Sequence, residues 1–344
     1  MKIAIVNDLP LAVESLRRAV TAPNTLAWVA KDGAEAVRRC AADRPDLVLM
    51  DLIMPGMDGV EATRLIMAQS PCAILLVTAN AAMTGKVYEA MGAGALDVVA
   101  PPTLHDGAAE FLAKIDMIGR LLGVLTTHKT PAKPRVRTSA ERAGAPLERL
   151  VAIGSSAGGP AALATVLGSL PPDFPGAIVI VQHVDEKFAA GLAEWLNDQT
   201  ALPVRLAQTG DRPQAGVVLL AGTGDHLVFM APTILGYTPR PIECAYRPSV
   251  DVFFESAGRF WRGSLLGVLL TGMGCDGARG LKTLRNKGCH TIAQDQASSA
   301  IYGMPKHAAA IGAAVEILPL AQVAPALEKF AFAQPGGIRL RHSL

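Results

Sequence analysis

The sequence carries little charge, few aromatic residues and no long apolar segment. Only 18% of its 344 residues are charged, 5% are aromatic, and the formal net charge is +2. So small a charge does not favour nucleic-acid binding, and we expect no nucleic-acid partner. No apolar run approaches the roughly 20 residues of a membrane-spanning helix, and the N-terminus lacks the apolar core of a signal peptide. We therefore expect a cytoplasmic protein that does not insert into a membrane.

Cysteine is scarce and scattered. The five cysteines show no C-x-x-C spacing and are Cys40, Cys72, Cys244, Cys275 and Cys289. Such spacing is typical of reduced thiols and argues against a disulfide framework. Asp225 and His226, in GTGDHLVF, lack a third ligand nearby, so a structural loop is a better interpretation than a metal site.

What the sequence has instead is regular alternation of strand-like and helix-like runs. Over residues 1–122 there are five such pairs, which predict a (βα)5 domain, a doubly wound parallel sheet of the flavodoxin-like type. Residues 123–148, rich in proline and basic side chains, are predicted to be a linker. The alternation resumes over residues 149–344, which predicts a second α/β domain with a mainly parallel sheet. Ligands of such sheets bind beyond the carboxyl ends of the strands.

Side chains with oxygen atoms gather at these strand ends in the first domain. Asn7 and Asp8 follow the first strand, Asp51 follows DLVLM and Thr78 follows AILLV. One such Asp is most often a helix cap, but a cap does not explain the whole group. Oxygen ligands grouped in this way suit Mg²⁺, and Asp51 would then accept a phosphoryl group.

The strings that carry this pattern resemble a known family. IVND, MDLIMPGMDG, VTA and GALDVV are similar to the response-regulator receiver domain. The resemblance implies that Asp51 is the phosphorylation site, that Asp8, Asp51 and the Ile53 carbonyl hold Mg²⁺, and that Thr78 is the switch hydroxyl.

Two residues depart from the receiver pattern. Asn7 stands where a second acidic residue is usual, and we expect its amide oxygen to support a weaker Mg²⁺ site. Pro101 stands where lysine is usual, and proline supplies neither a charge nor an N–H donor. The departures predict that Asp51 can be phosphorylated, with altered coupling to the rest of the protein.

In the second domain a serine lies at a turn between a strand and a helix. GSSAG, residues 154–158, fits G-x-S-x-G with Ser156 at its centre. A phosphate cradle is the alternative, but the loop lacks the full glycine pattern and the ribose-binding acid of a dinucleotide site. His183 follows AIVIVQ, and Asp276 follows LLGVLLTGMGC, so all three lie near strand ends. Together they predict a nucleophile, its base and the group that orients the base.

Here too the sequence resembles a family. AIGSSAGGP, VQHV, YRPSVD, TGMGCDGARGL and YGMPKHA are similar to the catalytic domain of the CheB family of protein-glutamate methylesterases, an α/β hydrolase-like fold. The order receiver, linker, hydrolase is also that of this family, and IVNDLPLAVESLRR looks closest to its Wsp-type, WspF-like branch. The resemblance implies catalysis by Ser156, His183 and Asp276, with the Met273 N–H as an oxyanion donor. Ala157 stands where threonine is usual, which predicts lower activity.

The resemblance also implies partners. It predicts demethylation of glutamate methyl esters, and deamidation of glutamines, on a methyl-accepting chemotaxis-type receptor, with a CheA-type histidine kinase as phosphodonor. Mg²⁺ is expected for receiver phosphorylation, and no cofactor for hydrolysis. A weakly catalytic adaptor, acting as a phosphate sink or docking module, is the alternative.

Overall fold

The computed structural model describes residues 1–78, 84–102, 108–122, 149–244 and 246–333. These residues fall into two compact units, one built mainly from the N-terminal part of the chain and one mainly from the C-terminal part. The predicted linker, 123–148, lies outside the described residues. The domain boundaries at 1–122, 123–148 and 149–344 therefore stay a prediction.

In the N-terminal part strands and helices alternate. The order is β1 (Lys2–Val6), α1 (Pro10–Ala19), β2 (Thr25–Ala30), α2 (Gly33–Ala42), β3 (Leu47–Met50), α3 (Gly59–Gln69), β4 (Ala73–Val77), α4 (Thr84–Gly92), β5 (Asp97–Val99) and α5 (Ala108–Leu121). The sheet has the order β2-β1-β3-β4-β5, and each pair is parallel. Strands β3 and β4 are buried along their whole length, as apolar strands covered on both faces must be. The predicted (βα)5 sheet is confirmed.

The C-terminal part is a second α/β unit. Its elements are β6 (Arg149–Ser155), α6 (Gly159–Gly168), β7 (Ala177–Gln182), α7 (Glu186–Gln199), β8 (Val204–Leu206), β9 (Val218–Leu220), β10 (His226–Ala231), β11 (Ile234–Thr238), α8 (Val250–Phe260), β12 (Ser264–Leu269), α9 (Ala278–Asn286), β13 (His290–Gln294), α10 (Met304–Ala310), β14 (Glu316–Leu318) and α11 (Leu320–Phe332).

The strand order places the candidate residues. The sheet runs β14-β13-β12-β6-β7-β9-β8 with parallel pairing throughout, and β10 and β11 form a separate antiparallel hairpin. Strands β12, β6 and β7 are therefore neighbours, and their carboxyl ends share one edge. Ser156 follows β6, His183 follows β7, and Asp276 lies in the loop after β12. The predicted mainly parallel sheet is confirmed.

One glycine at this edge is required by space. A Cβ on Gly154 would lie 2.2 Å from Cγ1 of Val250, the first residue of α8. The absence of a side chain there lets the start of α8 approach the end of β6. The same close approach brings the N–H groups of α8 to the edge that carries Ser156.

No helix in the described ranges is both long enough and apolar enough to cross a membrane.

Candidate active site

Ser156 is anchored through its own backbone. Its N–H donates to the Thr271 carbonyl at 3.0 Å, and the residue is 6% exposed. This N–H is therefore engaged in holding the turn to the end of β12. Because it already donates to Thr271, the Ser156 N–H is not available as an oxyanion donor.

Gln182, which sequence reasoning missed, ties the serine turn to the histidine. Its Nε2 atom donates to the Ser156 carbonyl at 2.8 Å and to the His183 carbonyl at 3.0 Å, and its Oε1 atom accepts from Ser155 Oγ at 2.6 Å. The side chain is 3% exposed, so these groups have no water to replace their partners. A polar residue ending the apolar strand AIVIVQ was the signal for this role.

His183 and Asp276 meet as predicted. The distance from His183 Nε2 to Asp276 Oδ2 is 2.8 Å, and both side chains are nearly buried. Because an ionised carboxylate only accepts hydrogen bonds, Nε2 carries the proton, and in the form of the ring that can act as a base Nδ1 keeps its lone pair. Nδ1 is buried and makes no hydrogen bond within the described part of the chain.

Between Ser156 and His183 no side-chain hydrogen bond forms. The two residues are held together by Gln182 and by the hydrogen bond from the His183 N–H to the Ser155 carbonyl, at 3.0 Å. Nucleophile–base hydrogen bonds are often loose without substrate and tighten in the reacting complex. The structure therefore places His183 beside the serine turn.

Asp276 also receives the start of α8. Ser249 Oγ donates to Oδ1 at 2.8 Å, the Val250 N–H to Oδ2 at 2.7 Å and the Asp251 N–H to Oδ1 at 3.1 Å. Burial acts to raise the pKa of Asp276, but the hydrogen bond and charge of His183 and the donors of α8 outweigh it, and the pKa lies below its usual value. Asp276 is thus a carboxylate that stays charged at the end of a helix dipole.

A second carboxylate repeats this arrangement on the next helix. Asp251, in the first turn of α8, accepts from the Gly280 N–H at 2.7 Å and from Arg279 Nε at 3.0 Å, both at the start of α9. Its burial, and then the charge of Asp276, raise its pKa, against the lowering effect of these two donors. Each helix start is therefore held by an Asp from the other segment.

His226 supports Asp276 from behind. Its Nδ1 atom accepts the Ser249 N–H at 3.0 Å, and its Nε2 atom lies 3.0 Å from the Pro241 carbonyl, to which it donates. The side chain is fully buried. Both ring nitrogens are used, and His226 is the first residue of β10, not part of the loop that the sequence suggested. Within the described ranges no three His, Cys, Asp or Glu side chains cluster to hold a metal ion.

Tyr246 covers one face of His183, a contact that sequence reasoning missed. The ring centroids are 4.3 Å apart and the planes differ by 5°. Tyr246 opens the string YRPSVD, which also contains the Ser249, Val250 and Asp251 donors to Asp276. The string was recognised as a motif, but nothing in it indicated which side chain touches the base.

Met273 and Cys275 lie in the loop between β12 and α9. Met273, the predicted oxyanion donor, is buried, and its role stays a prediction. Partial burial, followed by the charges of Asp251 and Asp276, raises the pKa of Cys275 above its usual value. A thiol is a weak nucleophile until it loses its proton, so a catalytic role for Cys275 is not supported.

In the first unit the predicted acidic group forms at the ends of β1 and β3. Asn7 Nδ2 donates to Asp51 Oδ2 at 2.8 Å, and the Ile53 N–H approaches Asp51 Oδ1 at 3.3 Å. The Asn7 oxygen accepts the Leu9 N–H at 2.8 Å. Here the Asn7 oxygen closes a turn and the amide nitrogen faces Asp51, and the expected weaker Mg²⁺ site stays a prediction.

The charge at Asp51 fits a divalent cation. Burial, and then repulsion from Asp8, raise the pKa of Asp51 above its usual value, although the N–H groups of Ile53 and Leu52 lower it. A cation between Asp8 and Asp51 would offset both causes. Mg²⁺ is commonly held by one or two carboxylates, with waters completing its octahedron. Asp8, Asp51 and the exposed Ile53 are compatible with such a site.

The remaining receiver residues lie near the same edge. Thr78 is buried and follows β4, and its N–H donates to the Val99 carbonyl at 3.1 Å. Pro101 follows β5 by two positions. Lys86 pairs with Asp58 at 2.8 Å, and Lys114 pairs with Asp97 at 3.0 Å. Within the described residues no cation pairs with Asp51.

Comparison with known proteins decides the family. The family model described as CheB methylesterase matches residues 151–327, and the response regulator receiver domain matches residues 3–113. The chain belongs to the CheB methylesterase family. The match to this family contains Ser156, His183 and Asp276, and the receiver match contains Asp8, Asp51 and Thr78.

Members of the CheB methylesterase family resemble the chain over nearly its full length. A relative from Burkholderia orbicola, named protein-glutamate methylesterase/protein-glutamine glutaminase 3, is 61% identical over 336 residues, covering 95% of this chain and 97% of the relative. A Pseudomonas fluorescens relative, named protein-glutamate methylesterase/protein-glutamine glutaminase 1, is 58% identical over 335 residues, covering 95% and 98%. The crystal structure of the Thermotoga maritima CheB methylesterase catalytic domain is 32% identical, covers 53% of this chain and 98% of that chain, and has a TM-score of 0.51.

Proposed function

We propose that the protein is a receiver-regulated serine hydrolase that removes methyl groups from glutamate esters on the cytoplasmic helices of a methyl-accepting chemotaxis-type receptor. Deamidation of glutamines on the same helices is part of the proposal, as the names of the relatives suggest. The carrying observation is that Asp276 holds His183 at 2.8 Å beside the turn that presents Ser156. A serine needs such a base to become a nucleophile.

The proposed mechanism moves one proton at a time through His183. Ser156 Oγ attacks the ester carbonyl while His183 Nδ1, the nitrogen that Asp276 leaves free, takes the hydroxyl proton. His183 returns that proton to the methoxy oxygen, and methanol leaves as Ser156 keeps the glutamyl group. Water, deprotonated by the same nitrogen, then hydrolyses the new ester and restores the serine. In this proposal the Met273 N–H stabilises the oxyanion.

The receiver supplies regulation in this proposal. Asp51 accepts a phosphoryl group from a CheA-type histidine kinase, and Thr78 is the switch hydroxyl. Asp8, Asp51 and the Ile53 carbonyl would hold Mg²⁺, which neutralises charge on the phosphoryl group. No nucleic acid and no membrane insertion enter the proposal, and the hydrolysis itself needs no cofactor.

A finer placement within the family is also proposed. IVNDLPLAVESLRR and MDLIMPGMDGVEATRLIM favour the Wsp-type, WspF-like branch, whose pathway leads to a diguanylate cyclase. Receptor and kinase would then belong to that pathway, and the protein would act in the cytoplasm.

Replacing the serine tests the function. Ser156→Ala should abolish methanol release from membranes that carry a methyl-labelled chemotaxis receptor, because the nucleophilic oxygen is gone. Ser169→Ala removes an exposed hydroxyl that donates to the Thr165 carbonyl, and it should release methanol at the wild-type rate. Vapour-phase transfer of labelled methanol measures both variants.

Two results would contradict the proposal. Methanol release that persists in Ser156→Ala would remove Ser156 from the mechanism. A wild-type chain that is phosphorylated but releases no methanol from any methylated receptor would favour the adaptor interpretation.

A further inference from the structure

Tyr246 lies where it can control the orientation of the base. Its ring is parallel to that of His183 within 5°, at a centroid distance of 4.3 Å. We propose that Tyr246 is a positioning residue, which holds the His183 ring so that Nε2 faces Asp276 and Nδ1 faces the serine turn. The inference rests on the proposed function, because it assigns Tyr246 a role in the same reaction.

The stack restricts the one motion that would spoil the base. Rotation of the His183 ring about its Cβ–Cγ bond would break the 2.8 Å contact with Asp276 and swing Nδ1 away from Ser156. A parallel ring in van der Waals contact blocks that rotation on one face. Asp276 alone holds the ring at one atom, whereas Asp276 and Tyr246 together hold it at an edge and a face.

The buried His226 holds the chain on both sides of Tyr246. Its Nε2 atom binds the Pro241 carbonyl and its Nδ1 atom the Ser249 N–H, both at 3.0 Å. Ser249 in turn donates to Asp276 at 2.8 Å. One short segment therefore fixes both the carboxylate that orients His183 and the ring that covers it, so their relative positions do not vary independently.

The stack also has a chemical consequence. When His183 accepts the serine proton it becomes a cation, and the face of an aromatic ring attracts a cation placed over it. Tyr246 therefore stabilises the protonated ring that forms when His183 accepts the serine proton. An interaction made in the transition state and not with the bound substrate raises kcat and leaves KM unchanged.

Three variants of the full chain separate this role from a structural one. Tyr246→Leu keeps an apolar side chain without a ring, and Tyr246→Phe and Tyr246→Trp keep a ring. We expect Tyr246→Leu to lower kcat for methanol release by about 10²-fold, the order of loss for a misplaced catalytic group, with KM unchanged. Tyr246→Phe and Tyr246→Trp should restore most of kcat.

Proton NMR gives a second measurement that does not depend on turnover. The carbon-bound ring protons of His183, assigned by their loss in His183→Gln, should be shifted upfield by the stacked ring in the wild type and in Tyr246→Phe. In Tyr246→Leu they should move downfield.

Several outcomes would overturn the inference. They are an unchanged kcat per folded molecule in Tyr246→Leu, a loss confined to KM, or equal losses in Tyr246→Leu and Tyr246→Phe. Absence of the upfield shift in the wild type would do the same, even if Tyr246→Leu fails to fold. Ser156→Ala keeps the two proposals apart: if it stays active, the proposed function is wrong, and if it is inactive while Tyr246→Leu is fully active, only the role of Tyr246 is wrong.

Discussion

At the scale of single residues, the proton of His183 decides which atom acts as the base. Asp276 contacts Nε2, so in the proposed mechanism Nδ1 is the atom that takes the serine proton. Asp276 can direct this choice only as a carboxylate, and its lowered pKa, reached against its own burial, keeps it ionised. One carboxylate therefore both orients the base and balances its charge.

Asp276→Asn should break this arrangement with little change in shape. An amide in place of the carboxylate lets His183 adopt the wrong tautomer, and kcat for methanol release should fall by about 10⁴-fold, as in other serine hydrolases with this change. Steady-state methanol release measures it. A fall of less than tenfold would mean that Asp276 does not determine the tautomer.

The same residue makes a pH prediction. A carboxylate whose pKa is lowered in the folded state stabilises the protein above the unfolded pKa of about 3.9 and loses that contribution as pH falls through the folded value. The difference in Tm between wild type and Asp276→Asn should therefore shrink as the pH falls below about 4. Calorimetry measures it, and a difference that stays constant or grows below that pH would contradict the assignment.

At the scale of elements, α8 and α9 each begin on a carboxylate supplied by the other segment. Asp276, just before α9, binds the start of α8, and Asp251, in α8, binds the start of α9. The two helices pack against each other. Their mutual position therefore controls where Asp276 lies relative to His183.

Asp251→Ala should loosen this pair. It leaves the buried Gly280 N–H without an acceptor, which costs about 1–3 kcal/mol of unfolding free energy, and it should also lower kcat by moving Asp276. Arg279→Ala is the control, because that side chain is 76% exposed and exposed ion pairs contribute about 0–1 kcal/mol. Urea unfolding compares the variants, and equal losses would show that the ion pair, not the helix start, is what Asp251 stabilises.

The elements also show how far sequence reasoning reaches. Alternating strand-like and helix-like runs predicted both sheets. A helix that connects two strands of one sheet crosses over in the right-handed sense and leaves those strands parallel. The hairpin of β10 and β11 was not foreseen, since GTGDHLVF, where β10 begins, was interpreted as a loop. That hairpin supplies His226, so the support behind Asp276 was missed with it.

At the scale of the whole molecule, two units carry two kinds of chemistry on one chain. In the proposed function the receiver offers the Asp51 carboxylate for phosphorylation, and the hydrolase offers Ser156 for ester cleavage. In receivers the usual lysine is a point charge for the phosphoryl group, and Pro101 cannot supply it. We therefore predict that Pro101 alters the coupling between phosphorylation of the receiver and hydrolysis.

A small phosphodonor tests the coupling in the full chain. In Mg²⁺, acetyl phosphate should form an acyl phosphate at Asp51 that is absent from Asp51→Asn, and methanol release should change only in the chain that is phosphorylated. Pro101→Lys should increase that change, because it restores the missing charge. Phos-tag electrophoresis and methanol release follow the two events.

Two results would revise this account. Phosphorylation at Asp51 with equal methanol release in all three chains would reduce the receiver to a docking module. No acyl phosphate in the wild type would remove Asp51 as the acceptor.

The sequence alone determined the two α/β units. It also determined the candidate residues at their strand ends, because parallel strands bring their carboxyl ends to one edge. Which atoms meet there is a tertiary matter. The contacts that orient the base join His183 to Asp276, 93 positions apart, and Asp276 to Ser249, 27 positions apart. No local pattern encodes such pairs, since they depend on how α8 packs at the end of β6. Packing therefore decided the choice of nitrogen, the Gln182 clamp and the Tyr246 stack.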